Sequence, residues 1–158
     1  TLISRISAAK PKTADYPFTT LAPSLGVVRM GVGRSFTVAD LPGLIQGASS
    51  GRGLGLRFLR HAERNSLLVF VLSPDLPVTP VEQLSILREE LSVYGSGFRG
   101  IRAFAILSKC DTVSPEEREK ILDTLPPGTI AVSSVTGEGV REFLKRLAGL
   151  ILTAGENT

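Results

Sequence analysis

The sequence RAFAILSKCD, residues 102–111, joins a short apolar run to a polar motif. Arg102 to Leu107 has the length and the apolar character of a strand buried in a sheet. At the motif that follows, Ser108 to Asp111, the carboxylate of Asp111 can accept hydrogen bonds from the N1–H and N2–H groups of guanine. Adenine offers neither donor in that place, so Asp111 would select the base, and the stem of Lys109 can lie along the base plane. The alternative is an ordinary polar strand end.

Two further polar motifs also follow predicted strands. Asp40-Leu41-Pro42-Gly43 comes after one strand, and Ser133 to Gly139 comes after the last one. A carboxylate at Asp40 can hold the water shell of Mg²⁺, and Gly43 leaves room for a backbone N–H group to approach a γ-phosphate. Backbone N–H groups of residues 133–139 can donate to guanine O6. Taken singly, these motifs are equally compatible with a common Asp-x-x-Gly turn and a simple strand–helix connection.

Apolar strands alternate with helical stretches along the chain, which is typical of an α/β fold. We predict strands at 25–30, 35–39, 67–72, 102–107 and 129–132. We predict helices at 1–9, 56–65, 81–94, from 114 onward and at 140–152, and loops at 10–23, 42–55 and 73–80. The first two strands flank a turn at Gly31 to Arg34 and form a hairpin. Polar motifs at the ends of strands are where a parallel sheet builds a nucleotide site.

Composition bounds the class of protein. The 158 residues suit one domain, and no apolar run reaches the roughly 18 residues that a membrane span needs. The start of the chain has no long apolar core or cleavage site of a signal peptide. Cys110 is the single cysteine, which excludes a disulfide framework and a cysteine-based metal site, and fits a reducing compartment.

Charge is distributed unevenly along the chain. The net charge is +3, but residues 1–64 hold nine basic and three acidic residues, while residues 65–158 hold nine basic and twelve acidic ones. The basic front half indicates a polyanionic partner such as RNA. A solvated basic face explains the same charge without a partner.

The order and spacing of the three motifs are those of the second switch, the base-selecting motif and the base-supporting motif of a GTPase. Three runs, ADYPFTTLAP at 14–23, DLPGLIQGA at 40–48 and FLRHAER at 58–64, resemble the Obg family almost residue for residue. The resemblance covers nearly the whole chain. It implies a P-loop NTPase-type three-layer α/β fold, with a mostly parallel sheet and one antiparallel edge hairpin.

The resemblance also assigns roles to individual residues. Thr20 would coordinate Mg²⁺ through its hydroxyl, Asp40 would hold Mg²⁺ through water, and loss of the γ-phosphate would release both switch loops. The implied ligands are Mg²⁺ and GTP or GDP. The residues implied to bind the nucleotide are Phe18, Thr19, Thr20, Leu21, Ala22, Asp40, Leu41, Pro42, Gly43, Ser108, Lys109, Cys110, Asp111, Ser133, Ser134 and Val135.

Three positions bear on how well this site would work. Leu44 follows the glycine where many GTPases place a water-orienting glutamine, a substitution that Obg proteins share, so we expect slow hydrolysis and assign no catalytic residue. Ser108 stands where the family has asparagine, and its shorter side chain cannot make both amide contacts. We therefore expect that the site still prefers guanine but binds it with lower affinity. The run Ser73-Pro74-Asp75 lacks the acidic residue that the family usually has nearer the strand end.

The phosphate-binding loop, G-x-x-x-x-G-K-[ST], does not occur in these 158 residues. In the family that loop directly precedes the position of Thr1. We therefore interpret residues 1–158 as part of an Obg-type G domain and expect an upstream segment with the loop, a central strand and the family's glycine-rich domain. That strand would lie between the hairpin and the strand at 67–72. The alternative is a degenerate chain held in place by a partner.

The resemblance implies an assembly factor for the large ribosomal subunit that binds GTP and hydrolyses it slowly. Its partners would be that subunit, rRNA and assembly factors, and no DNA is expected. A catalytically inactive pseudo-GTPase with a structural role in assembly is the alternative, whereas a phospho-acceptor signalling domain leaves Asp15 to Pro23 unexplained. We expect a mitochondrial location, with the bacterial cytoplasm or a plastid as alternatives. The basic residues expected to contact RNA are Arg52, Arg57, Arg60 and Arg64, for which a solvated helix face is the competing interpretation.

Overall fold

The computed structural model describes residues 2–8, 10, 12–13, 24–31, 33–40, 65–93 and 100–155. The chain divides into two compact units, Thr1–Ala62 and Glu63–Thr158, and each unit has its own three-stranded sheet. Helices and strands are numbered below in the order in which they occur among the described residues.

The first unit is a short helix with an antiparallel sheet of order β1-β2-β3. Its elements are α1 (Leu2–Ile6), β1 (Lys12–Thr13), β2 (Ser24–Arg29) and β3 (Ser35–Ala39). In the hairpin Leu25 pairs with Ala39 and Arg29 pairs with Ser35. The Met30 N–H closes the turn by donating to the Arg34 carbonyl at 2.8 Å.

Helix α1 lies against β2 because one strand residue has no side chain. A Cβ atom at Gly26 would stand 2.8 Å from Cγ2 of Ile3, closer than carbon atoms pack. Glycine at this position therefore lets Ile3 and Ile6 reach the sheet, where they are buried together with Val28. After the helix, the Ala8 N–H donates to the Val27 carbonyl at 2.8 Å.

The second unit is a parallel sheet of order β4-β5-β6 with helices between its strands. Its elements are β4 (Leu67–Leu72), α2 (Pro80–Val93), β5 (Arg102–Ser108), a 3₁₀ turn (Cys110–Thr112), α3 (Pro115–Asp123), β6 (Ile130–Val132) and α4 (Val140–Gly155). Among the described residues of both units, no helix is long and apolar enough to span a bilayer.

Strand β5 is the core of the second unit. Its four consecutive residues Phe104 to Leu107 are all buried, which requires cover on both faces and is typical of a central parallel strand. On one side the ring of Phe104 meets Phe143 of α4 with 6.0 Å between ring centroids. Leu84 and Leu87 of α2, one helical turn apart, are also buried.

Two helices begin at capping motifs that the sequence encodes. At α2 the hydroxyl and the N–H of Thr79 both donate to the Glu82 carboxylate, at 2.6 and 3.0 Å, and Pro80 occupies the first helical position. At α3 the Glu117 N–H donates to the Ser114 hydroxyl at 3.2 Å, as the Ser-Pro-Glu-Glu sequence predicts.

Most of the predicted strands and helices are confirmed, and the differences fall at their ends. The predicted loop at 10–23 is wrong at Lys12–Thr13, which pairs with Ser24 and Leu25 because the edge of β2 needs hydrogen-bond partners. Helix α2 begins at Pro80, β5 includes Ser108, and α4 continues to Gly155. The predicted loop at 42–55 and nearly all of the predicted helix at 56–65 lie outside the described residues.

The fold class is confirmed, with parallel strands, intervening helices and an antiparallel hairpin all present. Over the described ranges the strands form two sheets, in which β3 pairs with β2 alone and β4 pairs with β5 alone.

Gly139 is a position where we expect a side chain to be destabilising. Its φ is +69°, and a Cβ atom would stand 1.9 Å from the Ala131 carbonyl oxygen. We expect Gly139→Ala to lower the free energy of unfolding by about 2–4 kcal/mol, measured by urea denaturation of the full-length protein.

The matched control is Gly149→Ala in α4, where the added methyl group meets open space. A helical glycine replaced by alanine should raise the free energy of unfolding by about 0.5–1 kcal/mol. Equal effects of the two substitutions would contradict the close approach of residue 139 to β6.

Candidate functional site

Two loops that the sequence assigns to base recognition leave neighbouring strands at the same edge of the sheet. Strands β5 and β6 are parallel, and Ser108 pairs with Val132 in register. The residues that follow the two strands are Lys109 and Ser133, so the base-selecting loop and the base-supporting loop start side by side. The two motifs that the sequence places after strands are therefore neighbours in the second unit.

The base-selecting loop turns sharply at Lys109. This residue has φ 54° and ψ 36°, a left-handed conformation that is unfavourable for a side-chain-bearing residue. Its carbonyl accepts hydrogen bonds from the N–H and the hydroxyl of Thr112 at 3.0 and 2.8 Å. The turn leaves Cys110 buried and Asp111 exposed, and the Asp111 carboxylate has no hydrogen-bond partner among the described residues.

The base-supporting loop is closed on itself. The Ser133 N–H donates to the Glu138 carbonyl, and the Gly137 N–H donates to the Ser133 carbonyl, each at 2.9 Å. Ser133 is fully buried, whereas the Val135 side chain at the tip is 79% exposed. Within the described ranges, the N–H groups of Ser134 and Val135 have no protein acceptor. They are available to an acceptor atom of a ligand.

An ion pair that the sequence did not reveal joins α3 to the base-supporting loop. Arg118 of α3 donates to the Glu138 carboxylate at 2.6 Å, and the Cys110 thiol lies 3.8 Å from the other oxygen of that carboxylate. The hydrogen bond to Glu138 raises the pKa of Arg118, and burial raises the pKa of the Cys110 thiol. Glu138 of the base-supporting loop thus contacts both Arg118 of α3 and Cys110 of the base-selecting loop.

A second contact absent from the sequence prediction involves Asp75, in the loop after β4. The Lys109 ammonium donates to the Asp75 carboxylate at 2.5 Å. That bond, and a further one from the Ser73 hydroxyl, hold the pKa of Asp75 below its usual range. The two residues are 34 positions apart in the sequence, so no local sequence pattern predicts their contact.

Asp40 lies at the end of β3 in the first unit, where its N–H donates to the Ser24 carbonyl at 2.9 Å. The residue is exposed overall, yet partial burial of its carboxyl raises its pKa. Over the described ranges no three His, Cys, Asp or Glu residues cluster as metal ligands. A single carboxylate fits Mg²⁺ if phosphate oxygens and water complete the shell.

The predicted site residues that lie outside the described ranges are Phe18, Thr19, Thr20, Leu21, Ala22, Leu41, Pro42, Gly43, Arg52, Arg57, Arg60 and Arg64.

The exposed groups of the second unit complement one edge of guanine. The Asp111 carboxylate offers an acceptor to the N1–H and N2–H donors, and the free N–H groups of Ser134 and Val135 offer donors to O6. Ser108 ends β5, and its hydroxyl has no hydrogen-bond partner in the part of the chain that the structure describes.

Comparison with known sequences adds the family. A family model described as a 50S ribosome-binding GTPase matches residues 1–109. The GTPase Obg of Amoebophilus asiaticus is 45% identical over 153 residues, covering 96% of this chain and 46% of that protein. The GTPase Obg of Bacteroides thetaiotaomicron is 49% identical over 142 residues, covering 89% of this chain and 36% of that protein. The chain therefore spans less than half of the length of these relatives.

Comparison with solved structures shows the fold. The G domain of the T. maritima FeoB iron transporter matches with a TM-score of 0.60 and 22% identity, over 95% of this chain and 89% of that chain. The cytosolic domain of the same transporter in its GMPPNP form gives 0.62 and 24%, over 99% of this chain and 59% of that chain. At this identity the likeness extends to the G-domain fold and not to function.

The buried thiol at Cys110 gives a test of the loop geometry. Because the residue is 1% exposed and its pKa is raised, iodoacetamide at pH 8 should alkylate it at least about tenfold more slowly in the folded protein than in urea. Mass spectrometry of the peptide that contains Cys110 measures the rate, with Cys110→Ser as the blank. Alkylation at the unfolded rate would contradict the burial of Cys110.

Proposed function

The chain belongs to the Obg family of GTPases, and we propose that it binds GTP and GDP as the G domain of an assembly factor for the large ribosomal subunit. The observation that carries the proposal is the pairing of Ser108 with Val132, which starts both base-recognition loops at one edge of the sheet. The exposed Asp111 carboxylate and the free N–H groups of Ser134 and Val135 then supply complementary groups for guanine.

We propose that Mg²⁺ accompanies the nucleotide. Asp40 at the end of β3 would hold it through water, and Thr20 would bind it directly, as the family resemblance implies. The metal would neutralise phosphate charge during hydrolysis. Leu44 cannot orient the attacking water, so hydrolysis by this chain's own residues would be slow, and the ribosome would supply what is missing.

A pseudo-GTPase that occupies the same ribosomal site without turnover is the second candidate. It is favoured by Ser108, the last residue of β5. The short side chain of Ser108 makes no hydrogen bond to any described residue. The asparagine that the family has at this position would make two amide contacts that serine cannot make. Binding of GDP and GTP without phosphate release, alone or with large subunits, would favour this candidate.

Base selection gives the direct test of nucleotide binding. Asp111→Asn should raise the Kd for GDP about tenfold to a hundredfold, because hydrogen bonds to a charged acceptor are lost. The same variant should bind xanthosine diphosphate more tightly than the wild type does, because the asparagine amide can donate to the 2-oxo group of xanthine. Calorimetry of the full-length protein measures both constants.

Asp123→Asn is the matched control, since Asp123 is an exposed aspartate at the end of α3 and lies outside both loops. It should bind GDP like the wild type. A wild type that binds neither GDP nor GTP would overturn the proposed function. Equal effects of the two substitutions would show that Asp111 does not read the base.

Binding to the large subunit is proposed to use the basic residues of the predicted helix at 56–65. Replacing Arg57, Arg60 and Arg64 by glutamate should weaken co-sedimentation with large subunits by at least about tenfold at low salt, because phosphate contacts are lost. Arg141→Glu, at an exposed arginine of α4, should have little effect. Unchanged sedimentation of the triple variant would contradict the RNA contact. We propose that the partner is the mitochondrial large subunit, so mitochondrial subunits are tested first. Bacterial and plastid large subunits are the alternatives.

A further inference from the structure

The loop that follows β4 is held by a buried glutamine. Gln83 of α2 is fully buried, and its side-chain oxygen accepts a hydrogen bond from the Ser73 N–H at 2.9 Å. Its amide nitrogen donates to the carbonyls of Ser73 and Val78 at 2.6 and 2.7 Å. One side chain thus satisfies backbone groups at both ends of residues 73–78, which fixes the shape of this loop.

Asp75 is presented by this fixed loop. Its carboxylate accepts one hydrogen bond from the Ser73 hydroxyl, which orients it, and a second from the Lys109 ammonium at 2.5 Å. The side chains of Lys109 and Asp75 are 54% and 39% exposed. An ion pair with that much solvent contact adds little to global stability, so its geometry is better explained by what it positions.

Lys109 is the residue at which positioning matters. It is the one non-glycine residue with a positive φ in the described part of the chain, and it directly precedes the turn that carries Asp111. A left-handed residue is held in place only when its surroundings over-determine it. Here Thr112 binds its carbonyl and Asp75 binds its ammonium group, so both ends of the residue are fixed.

We propose that Asp75 is a positioning residue for guanine recognition, which it performs by holding Lys109 so that the lysine stem and the Asp111 carboxylate are aligned before the nucleotide arrives. The inference rests on the proposed nucleotide binding. It also accounts for two departures from the family pattern. Asp75 supplies an acidic side chain three residues after Leu72, the last residue of β4. It also holds Lys109, which directly follows Ser108, a serine that cannot make both amide contacts of the family's asparagine.

The experiment combines a double-mutant cycle with two ligands in the full-length protein. The variants are Asp75→Asn, Lys109→Met, which keeps the apolar stem, the two together, and Asp123→Asn as the exposed control. The ligands are GDP and inosine diphosphate, which lacks the 2-amino group that Asp111 would bind. Their Kd ratio therefore reports the alignment of Asp111 and not merely the amount of folded protein.

We expect Asp75→Asn to raise the Kd for GDP about twofold to fivefold, the range for an exposed ion pair, and to raise the Kd for inosine diphosphate less. The preference for GDP over inosine diphosphate should fall accordingly. In the Lys109→Met background Asp75→Asn should have no further effect, since its partner is gone. Asp123→Asn should leave both constants unchanged.

Each other outcome overturns a defined part of the proposal. If the wild type binds neither ligand, the proposed function fails and the positioning role fails with it. If the wild type binds GDP but Asp75→Asn behaves like Asp123→Asn, the positioning role alone is wrong. Equal losses for both ligands would make Asp75 merely structural, and additive effects of Asp75→Asn and Lys109→Met would show that it does not act through Lys109.

Discussion

The parallel pairing of β5 with β6 is the constraint on which the candidate site depends. Because Ser108 pairs with Val132, the two loops that follow begin at one edge of the sheet. A slip of two residues would displace one loop from the other by about 6–7 Å, beyond the reach of a single base. In this register the buried Ile106 pairs with the buried Ile130, and a slip of one residue would turn the side chains of one strand to the opposite face.

Around that register, contacts from distant parts of the chain hold the loops in a conformation that they would not keep alone. The left-handed Lys109 is bound by Asp75 from the loop after β4. Glu138 of the base-supporting loop is bound by Arg118 of α3. Each pair is exposed enough to contribute modestly by itself, yet together they connect two other segments, the loop after β4 and α3, to these two loops. Loops that are already held in the binding conformation lose less conformational entropy when a ligand binds, and the affinity is higher as a result.

The strands and helices were predictable because each has a local signal of its own. The apolar run of β5, the Ser-Pro-Glu-Glu start of α3 and the apolar stripe of α4 are written in consecutive residues. The two-residue strand at Lys12–Thr13 was missed because two residues show no periodicity, and it forms only where β2 offers an open edge. Its cause lies in the partner strand and not in its own sequence.

The α/β class and the family could be predicted from the sequence alone, and so could the candidate residues for base recognition, because these predictions depend on residue types at fixed spacings. The tertiary structure decided which groups hold them. Asp75 and Lys109 are separated by 34 positions, and Arg118 and Glu138 by 20. Such pairs meet only after the strands have paired in register and the buried Gln83 has fixed its loop. Local patterns specify secondary structure, whereas contacts between distant side chains follow from packing.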